Sequence, residues 1–301
     1  MDGPVRLSGK ATSPRQAIFR RLPFRRELFL ALRLVGRPSF YRQLYFDGTF
    51  RVPIDQRHSF LIHQNNRYGI ETELFWRGIF DAWEAASLGV WIKLCGDAEV
   101  ILDIGAAEGL YALVANALRP SAHVLAFEPA PQRARELARN IALNRHGSRC
   151  FQMALADYTG EVPFFQDSPF SDEGHLVREP SASVSLPVVE VTTVEKILEE
   201  EGLNRLDLVK IDVEGAEPEV LMGMGQLLAR HRPSMIVEIL SDDAGGRVEE
   251  IIKGLDYLYF DINDDLRNGP RNLERAEHLR SGRCLNYLII QPGVADRIGI
   301  I

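Results

Sequence analysis

No run of residues in this sequence is long and apolar enough to cross a membrane, since the best stretch, Leu28 to Val35, is short and carries Arg33. No compact apolar segment follows the N-terminal arginines either, so a secretory signal is not expected and a cytoplasmic location is. Cysteine is scarce: Cys95, Cys150 and Cys284 are odd in number, far apart and in no CxxC pair. A disulfide framework and a zinc site are therefore not expected, and the three read as small buried apolar residues. Repeats and low-complexity tracts are absent as well.

Acidic side chains are almost missing from the start of the chain. Residues 1–44 hold ten Lys or Arg against two acids, which leaves 25 basic and 40 acidic residues in the remainder. Several readings of this basic leader stand side by side: a contact with a lipid surface or with nucleic acid, an organelle transit segment, or a solvated tail and helix packed on the body. Pro4, Pro14, Pro23 and Pro38 interrupt any long amphipathic helix there. The acidic remainder argues against nucleic acid as the partner and leaves a small molecule. Oligomeric state is not legible.

What is present, after about residue 97, is an alternation of short apolar, β-branched runs with amphipathic ones, the pattern of an α/β fold. Strands are predicted at Glu99–Ile104, His123–Glu128, Arg149–Leu155, Leu206–Asp212, Ser234–Ile239, Tyr257–Ile262 and Leu285–Gln291. Helices are predicted at Leu110–Leu118, Pro131–Asn144, Val194–Glu201, Glu217–His231 and Arg247–Gly254. The expectation is a Rossmann-like, seven-stranded, mostly parallel sheet. Only a polar loop, Asn263 to Gly282, separates the last two strands, so these should pair antiparallel at the edge. Asp157 to Pro187 reads as a long excursion with extra strands at Val162–Phe165 and Val184–Val191. The domain boundary is expected after residue 68: a basic, partly helical extension over 1–68 and a catalytic domain over 69–301.

The strongest local signal is VILDIGAAEGLYAL, residues 100–113. A buried strand ends in Asp103, a turn containing Gly105, Ala106 and Gly109 follows, and a helix opens whose N-terminus favours an anionic group. The spacing DxGxxxG departs from GxGxxG, and Asp103 and Glu108 put negative charge where a pyrophosphate would lie, which disfavours NAD. S-adenosylmethionine, with an ammonium, a sulfonium and a carboxylate, suits an acidic loop at a helix N-terminus. Glu128 ends the next strand, 23 positions after Gly105, where a carboxylate can accept from both ribose hydroxyls; a solvated strand-end acid is the plainer alternative.

DIGAAEGLYAL, AFEPAPQRARELARNIALN, LVKIDVEGAEPEVLMG and MIVEI, in this order and spacing, resemble the FkbM family of S-adenosylmethionine-dependent methyltransferases, from about Gly69 to Pro292. The resemblance implies a class I methyltransferase fold, a cofactor held by the first two motifs, and O-methylation of a sugar or another small-molecule hydroxyl. It also matches Glu84 to an acidic position before the first strand that approaches the cofactor's methionine end, against a solvated helix face. Where the family often has GANIG this chain has GAAEG, so Ala107 cannot supply the usual asparagine amide.

Asp212 and Glu238 should lie at the C-terminal ends of adjacent strands, about 4.8 Å apart, and so converge. One can serve as general base on a hydroxyl, or the two with Glu214 can hold a divalent cation. Glu214 has capping of the following helix as its alternative, and Lys210 has pairing with one of these acids. His63 and His175 are further candidates for substrate contact, and His231 reads as a helix cap. Against the enzyme stands a non-catalytic nucleotide-binding scaffold recruited through the basic leader.

Overall fold

The computed structural model describes residues 24–144, 147–166, 174–177, 186–265, 272–282 and 284–301. The chain divides into two compact units, Met1–Ala85 and Ala86–Ile301.

The first unit contains more than the helix expected of it. After helix α1 (Arg25–Val35) come an antiparallel hairpin, β1 (Asp47–Pro53) and β2 (Ser59–Asn65), and helix α2 (Ile70–Arg77). The hairpin was not foreseen, although Phe50 and Val52 alternate with polar neighbours as a half-buried strand requires. Its turn is closed by Asp55, which accepts from the backbone N–H groups of Arg57 and His58. Aromatic rings form the core: Phe75 lies 5.1 Å from Phe46, 5.1 Å from Phe50 and 5.0 Å from Trp76, each edge to face. Gln64 satisfies the buried backbone by accepting from Phe46 N–H and donating to Thr72 Oγ1.

The second unit opens with helix α3 (Ala85–Cys95) and is built on an eight-stranded sheet. Its parallel strands are β3 (Val100–Ile104), β4 (His123–Phe127), β5 (Arg149–Phe151), β10 (Leu208–Ile211) and β11 (Ser234–Glu238). Strand β14 (Asn286–Ile290) inserts antiparallel between β11 and β12 (Leu258–Ile262), and the short β13 (Leu273–Ala276) closes the edge. Without β13 the core strands, counted along the chain, run 3-2-1-4-5-7-6. That is the dinucleotide-fold order with a seventh strand slipped in, the Rossmann-like class I methyltransferase arrangement. Helices α4 (Leu110–Leu118), α5 (Pro131–Asn144), α6 (Val194–Glu200), α7 (Glu217–Gly223), α8 (Gln226–His231) and α9 (Asp242–Ile251) connect the parallel strands and flank the last of them, and α10 (Pro292–Arg297) ends the chain.

Several boundaries differ from the sequence pattern. Strand β13 lies inside the stretch read as a polar loop. The run 149–155 serves two sheets: β5 joins the large one, while β6 (Ala154–Leu155) joins a four-stranded one with β7 (Gly160–Gln166), β8 (Gly174–Leu176) and β9 (Val188–Thr192). The excursion thus carries the expected extra strands, with residues 184 and 185 outside the described ones. The helix predicted over Glu217–His231 breaks at Gly225, whose φ of 54° and ψ of −130° no helix accommodates. Helix α9 begins five residues earlier than the expected Arg247, because Ser241 caps it by accepting from Ala244 N–H. Of the cysteines only Cys95 is fully buried; Cys150 and Cys284 are half-buried, and none of the three forms a disulfide.

Two adjacent glycines of α9 separate close packing from propensity. A Cβ on Gly245 would lie 2.2 Å from the Leu279 carbonyl oxygen, whereas one on Gly246 would meet nothing within 4 Å. Gly245→Ala should therefore destabilise by about 2 kcal/mol or more. Gly246→Ala should stabilise by roughly 0.5–1 kcal/mol through helix propensity and a less flexible unfolded chain. Urea unfolding of the two variants checks this; equal effects would refute the close approach of α9 to Leu279.

Candidate active site

The strand order reverses between the parallel neighbours β3 and β10, and the loops leaving them touch. Gly105, with φ 79°, comes so near that a Cβ on it would lie 1.7 Å from the Asp212 carbonyl oxygen. Only glycine satisfies both the backbone conformation and that distance. Gly105 and Ala106 donate their N–H groups to the Phe127 carbonyl at 3.0 and 2.9 Å, which anchors the turn on the end of β4. Ala106 therefore offers a ligand its surface rather than its amide. Ala107 takes φ 49°, a left-handed conformation that asparagine tolerates better, at a penalty of about 1 kcal/mol for alanine. Gly109 opens α4 with φ 91°, and a Cβ there would strike Leu137 of α5 at 2.5 Å.

All three sequence-selected acids of this region, Asp103, Glu108 and Glu128, are buried. Asp103 Oδ2 accepts from Ala112 N–H at 2.8 Å, in the first turn of α4. Burial pushes the Asp103 carboxyl up to about 7, against the opposing pull of that bond and of Lys210. Glu128 accepts from Ala130 N–H at 2.8 Å and from Ala107 N–H at 3.0 Å, one bond to each oxygen. Burial pushes it, too, up to about 7, with Arg133 opposing. Each carboxylate oxygen retains a further lone pair for a ligand. Glu108 is buried, and its carbonyl accepts from Asn140 Nδ2 at 2.9 Å.

Across the switch point the carboxylates of Asp212, Glu214 and Glu238 converge, with one oxygen of each within 4.8 Å of the others. The parallel register of β10 with β11, Ile211 opposite Val237, brings Asp212 and Glu238 together as expected. Glu214 joins through a left-handed backbone, φ 55°; the N-cap of α7 is Ala216, which makes no side-chain capping bond. Oxygen donors alone suit a hard divalent cation, and these three are the residues of the site that can hold one.

Lys210 is fully buried beside this cluster, with Nζ 3.1 Å from Asp212 Oδ2, 2.9 Å from Asn286 Oδ1 and 5.3 Å from the centre of the Tyr111 ring. Burial would raise Asp212, but the Lys210 charge and the hydrogen bond with Glu238 outweigh it and hold Asp212 below the usual carboxylate range.

Sequence reasoning missed the groups that brace this cluster. Asn286 donates to Asp264 at 3.4 Å, and Asp264 accepts from the N–H groups of Ala86 and Ser87 and from Ser87 Oγ. A polar residue heading the apolar run NYLII was the one available signal. Glu217, fully buried and pushed up to about 7 by burial, accepts from Gly215 N–H and was not singled out. The remaining candidates are on other elements. Glu84 belongs to the first unit, in a left-handed conformation just before α3. His63 sits on β2, its Nε2 3.0 Å from Asp47. His175 on β8 packs against Phe165, and His231 ends α8.

The profile of the methyltransferase FkbM domain matches residues 103–259, from Asp103 at the end of β3 into β12, more than half of the chain. The chain belongs to the FkbM methyltransferase family. The match is narrower than the 69–292 over which likeness was expected. Among FkbM-like relatives, methyltransferase sdnD of Sordaria araneosa is 33% identical over 157 residues, which cover 42% of this chain and 60% of that protein. The 2-O-methyltransferase NoeI of Sinorhizobium fredii is 32% identical over 148 residues, 44% of this chain and 60% of its own length. The 31-O-demethyl-FK506 methyltransferase FkbM of Streptomyces tacrolimicus is 24% identical over 214 residues, 61% of this chain and 82% of its own. The chain thus spans 60% of the length of the first two of these relatives.

The raised Asp103 and Glu128 carboxyls have a measurable consequence. Between about pH 4 and pH 7 the unfolded chain has released these protons while the folded protein still holds them, so stability falls as pH rises through that window and levels above it. Asp103→Asn is neutral throughout and can still accept from Ala112 N–H. Its melting temperature at about pH 8 should equal or exceed that of the unsubstituted protein, with a flatter dependence below. Scanning calorimetry at about pH 5 and pH 8 tests this; a loss of stability equal at both would show that Asp103 is not held protonated.

Proposed function

We propose that this FkbM-family protein transfers the methyl group of S-adenosylmethionine to a hydroxyl oxygen of a sugar or glycosylated small molecule. One observation carries the reading: the Gly105 turn and the Asp212–Glu214–Glu238 cluster meet at the switch point of the sheet, where open α/β sheets take ligands. The donor set fits the cofactor. Two buried carboxylates, Asp103 and Glu128, line the turn with lone pairs to spare, chemistry that suits an ammonium and a pair of ribose hydroxyls and repels a pyrophosphate. The names of two relatives, a 2-O-methyltransferase and a 31-O-demethyl-FK506 methyltransferase, support oxygen as the acceptor atom.

When bound, S-adenosylmethionine supplies an electrophilic methyl on a positively charged sulfur. The protein's part is to orient the acceptor in line with that methyl, exclude water and remove one proton from the hydroxyl as the oxygen–carbon bond forms. Lys210 keeps Asp212 ionised, so Asp212 or its neighbour Glu238 accepts that proton. Glu214 completes the negative surface facing the acceptor, and the same three oxygens offer the alternative of a divalent cation that acidifies the hydroxyl.

Calorimetric titration should show S-adenosylmethionine binding in about the micromolar range and no comparable binding of NAD; equal affinities would overturn the cofactor assignment. With an acceptor found by screening sugars and glycosides, Asp212→Asn or Glu238→Gln should lower turnover by about a hundredfold or more at saturating cofactor while binding persists. Full activity in both variants would remove the carboxylates from the mechanism. Loss of activity on adding a chelator would reassign them from base to metal ligand.

A further inference from the structure

Helix α1 is turned inside out. Its arginines face the first unit: Arg25 Nη1 bonds Asn66 Oδ1 at 2.7 Å, Arg26 Nε bonds the Thr49 carbonyl at 3.1 Å, and the Arg33 guanidinium lies 5.3 Å from the Phe75 ring centre. Phe29 is the one helix residue buried, against Phe46 and Trp76. The residues left outside are mostly apolar, with Glu27 and Arg26, whose side chains are 60% and 43% exposed, among them. Phe24, Leu28, Ala31 and Val35 follow at i, i+4, i+7 and i+11, one stripe of a helix, with Leu34 beside its end. Leu34 and Val35 are each 90% exposed and Phe24 is 79% exposed. Phe40 and Phe80 are exposed in the same unit, and the Arg37–Asp81 ion pair ties the segment of one to the turn of the other. An apolar stripe of this kind on a soluble surface marks an interaction site rather than scattered exposure.

Charge says what covers it. Met1–Ala85 holds 14 Lys or Arg against 8 acids, whereas Ala86–Ile301 holds 21 against 34. The apolar stripe thus belongs to the one unit with a positive net charge. A second copy docking there would bring like charge to like. An anionic bilayer offers both an apolar interior for the stripe and negative headgroups for the positively charged unit that carries it.

We propose that the outer face of α1, centred on Leu34 and Val35, docks this protein onto anionic lipid bilayers. This is independent of the methyl-transfer reading, since the stripe lies outside the FkbM-matched residues. It also gives a physical reason for a leader poor in acids.

The test is co-sedimentation of the full chain with vesicles of phosphatidylcholine alone and of phosphatidylcholine containing phosphatidylserine, at low and physiological salt, with sedimentation velocity in parallel. Binding to the anionic vesicles alone, weakened by salt, is expected. The charge-neutral double change Leu34→Ser with Val35→Ser should lower it at least about tenfold, with circular dichroism and melting temperature unchanged because both side chains are exposed. A change of charge is avoided so that the loss reads the apolar contact. Failure to bind anionic vesicles, or equal binding by the double variant, would overturn the proposal; so would a dimer that the double variant dissolves, which would assign the face to a second copy.

Discussion

The contact on which the site depends is the approach of Gly105 to the Asp212 carbonyl. Two neighbouring parallel strands diverge there, one chain turning to each side of the sheet, and the space between their loops is where a ligand can reach main chain and acids together. Any side chain at residue 105 would force those loops apart by more than an ångström. The glycine thus sets the separation of the Asp103–Gly109 turn from the acid cluster, while the Phe127 carbonyl, accepting two N–H groups, sets its height above β4.

Charge burial is the second organising constraint. Asp103, Glu128, Glu217 and Lys210 are all nearly excluded from solvent, and each is met by specific partners rather than by water. Helix N-termini supply several of them: Ala112 N–H for Asp103 and Ala130 N–H for Glu128. The buried Lys210 ammonium faces Asp212 and is held by Asn286, which Asp264 orients in turn while it caps the start of α3. Burial makes the charge of these carboxyls costly, so Asp103, Glu128 and Glu217 keep their protons to higher pH than exposed acids do.

The first unit answers to different physics. Its interior is a set of edge-to-face rings, with Glu73 as its polar anchor, accepting from Tyr41 and Tyr68 hydroxyls and pairing with Arg42 and Arg77. Those bonds hold Glu73 below its usual range although burial works the other way. With Arg25 and Arg33 drawn inward to this framework, helix α1 presents mainly apolar residues outside, Glu27 being the acidic exception.

Much of the second unit was legible in the sequence because period and punctuation agree there: all-buried runs such as VILDI end at glycine turns, and amphipathic helices follow. The roles of Asp103 and Glu128 as strand-end acids, and the convergence of Asp212 with Glu238, follow from counting strands and residues. Other features had no local signature. The break at Gly225, the division of residues 149–155 between two sheets and the strand at Leu273–Ala276 depend on which distant backbone is near. The same holds for the bracing of Lys210 by Asn286, 76 residues away, and for the outward turn of the α1 stripe, whose pattern alone predicts burial. The sequence by itself determined the alternation of elements, the glycine turn and the acids at strand ends, since these rest on contacts within a few residues. Only the tertiary structure decided which acids meet, which cation balances them and which apolar face stays uncovered, because those are settled by long-range packing that no residue encodes alone.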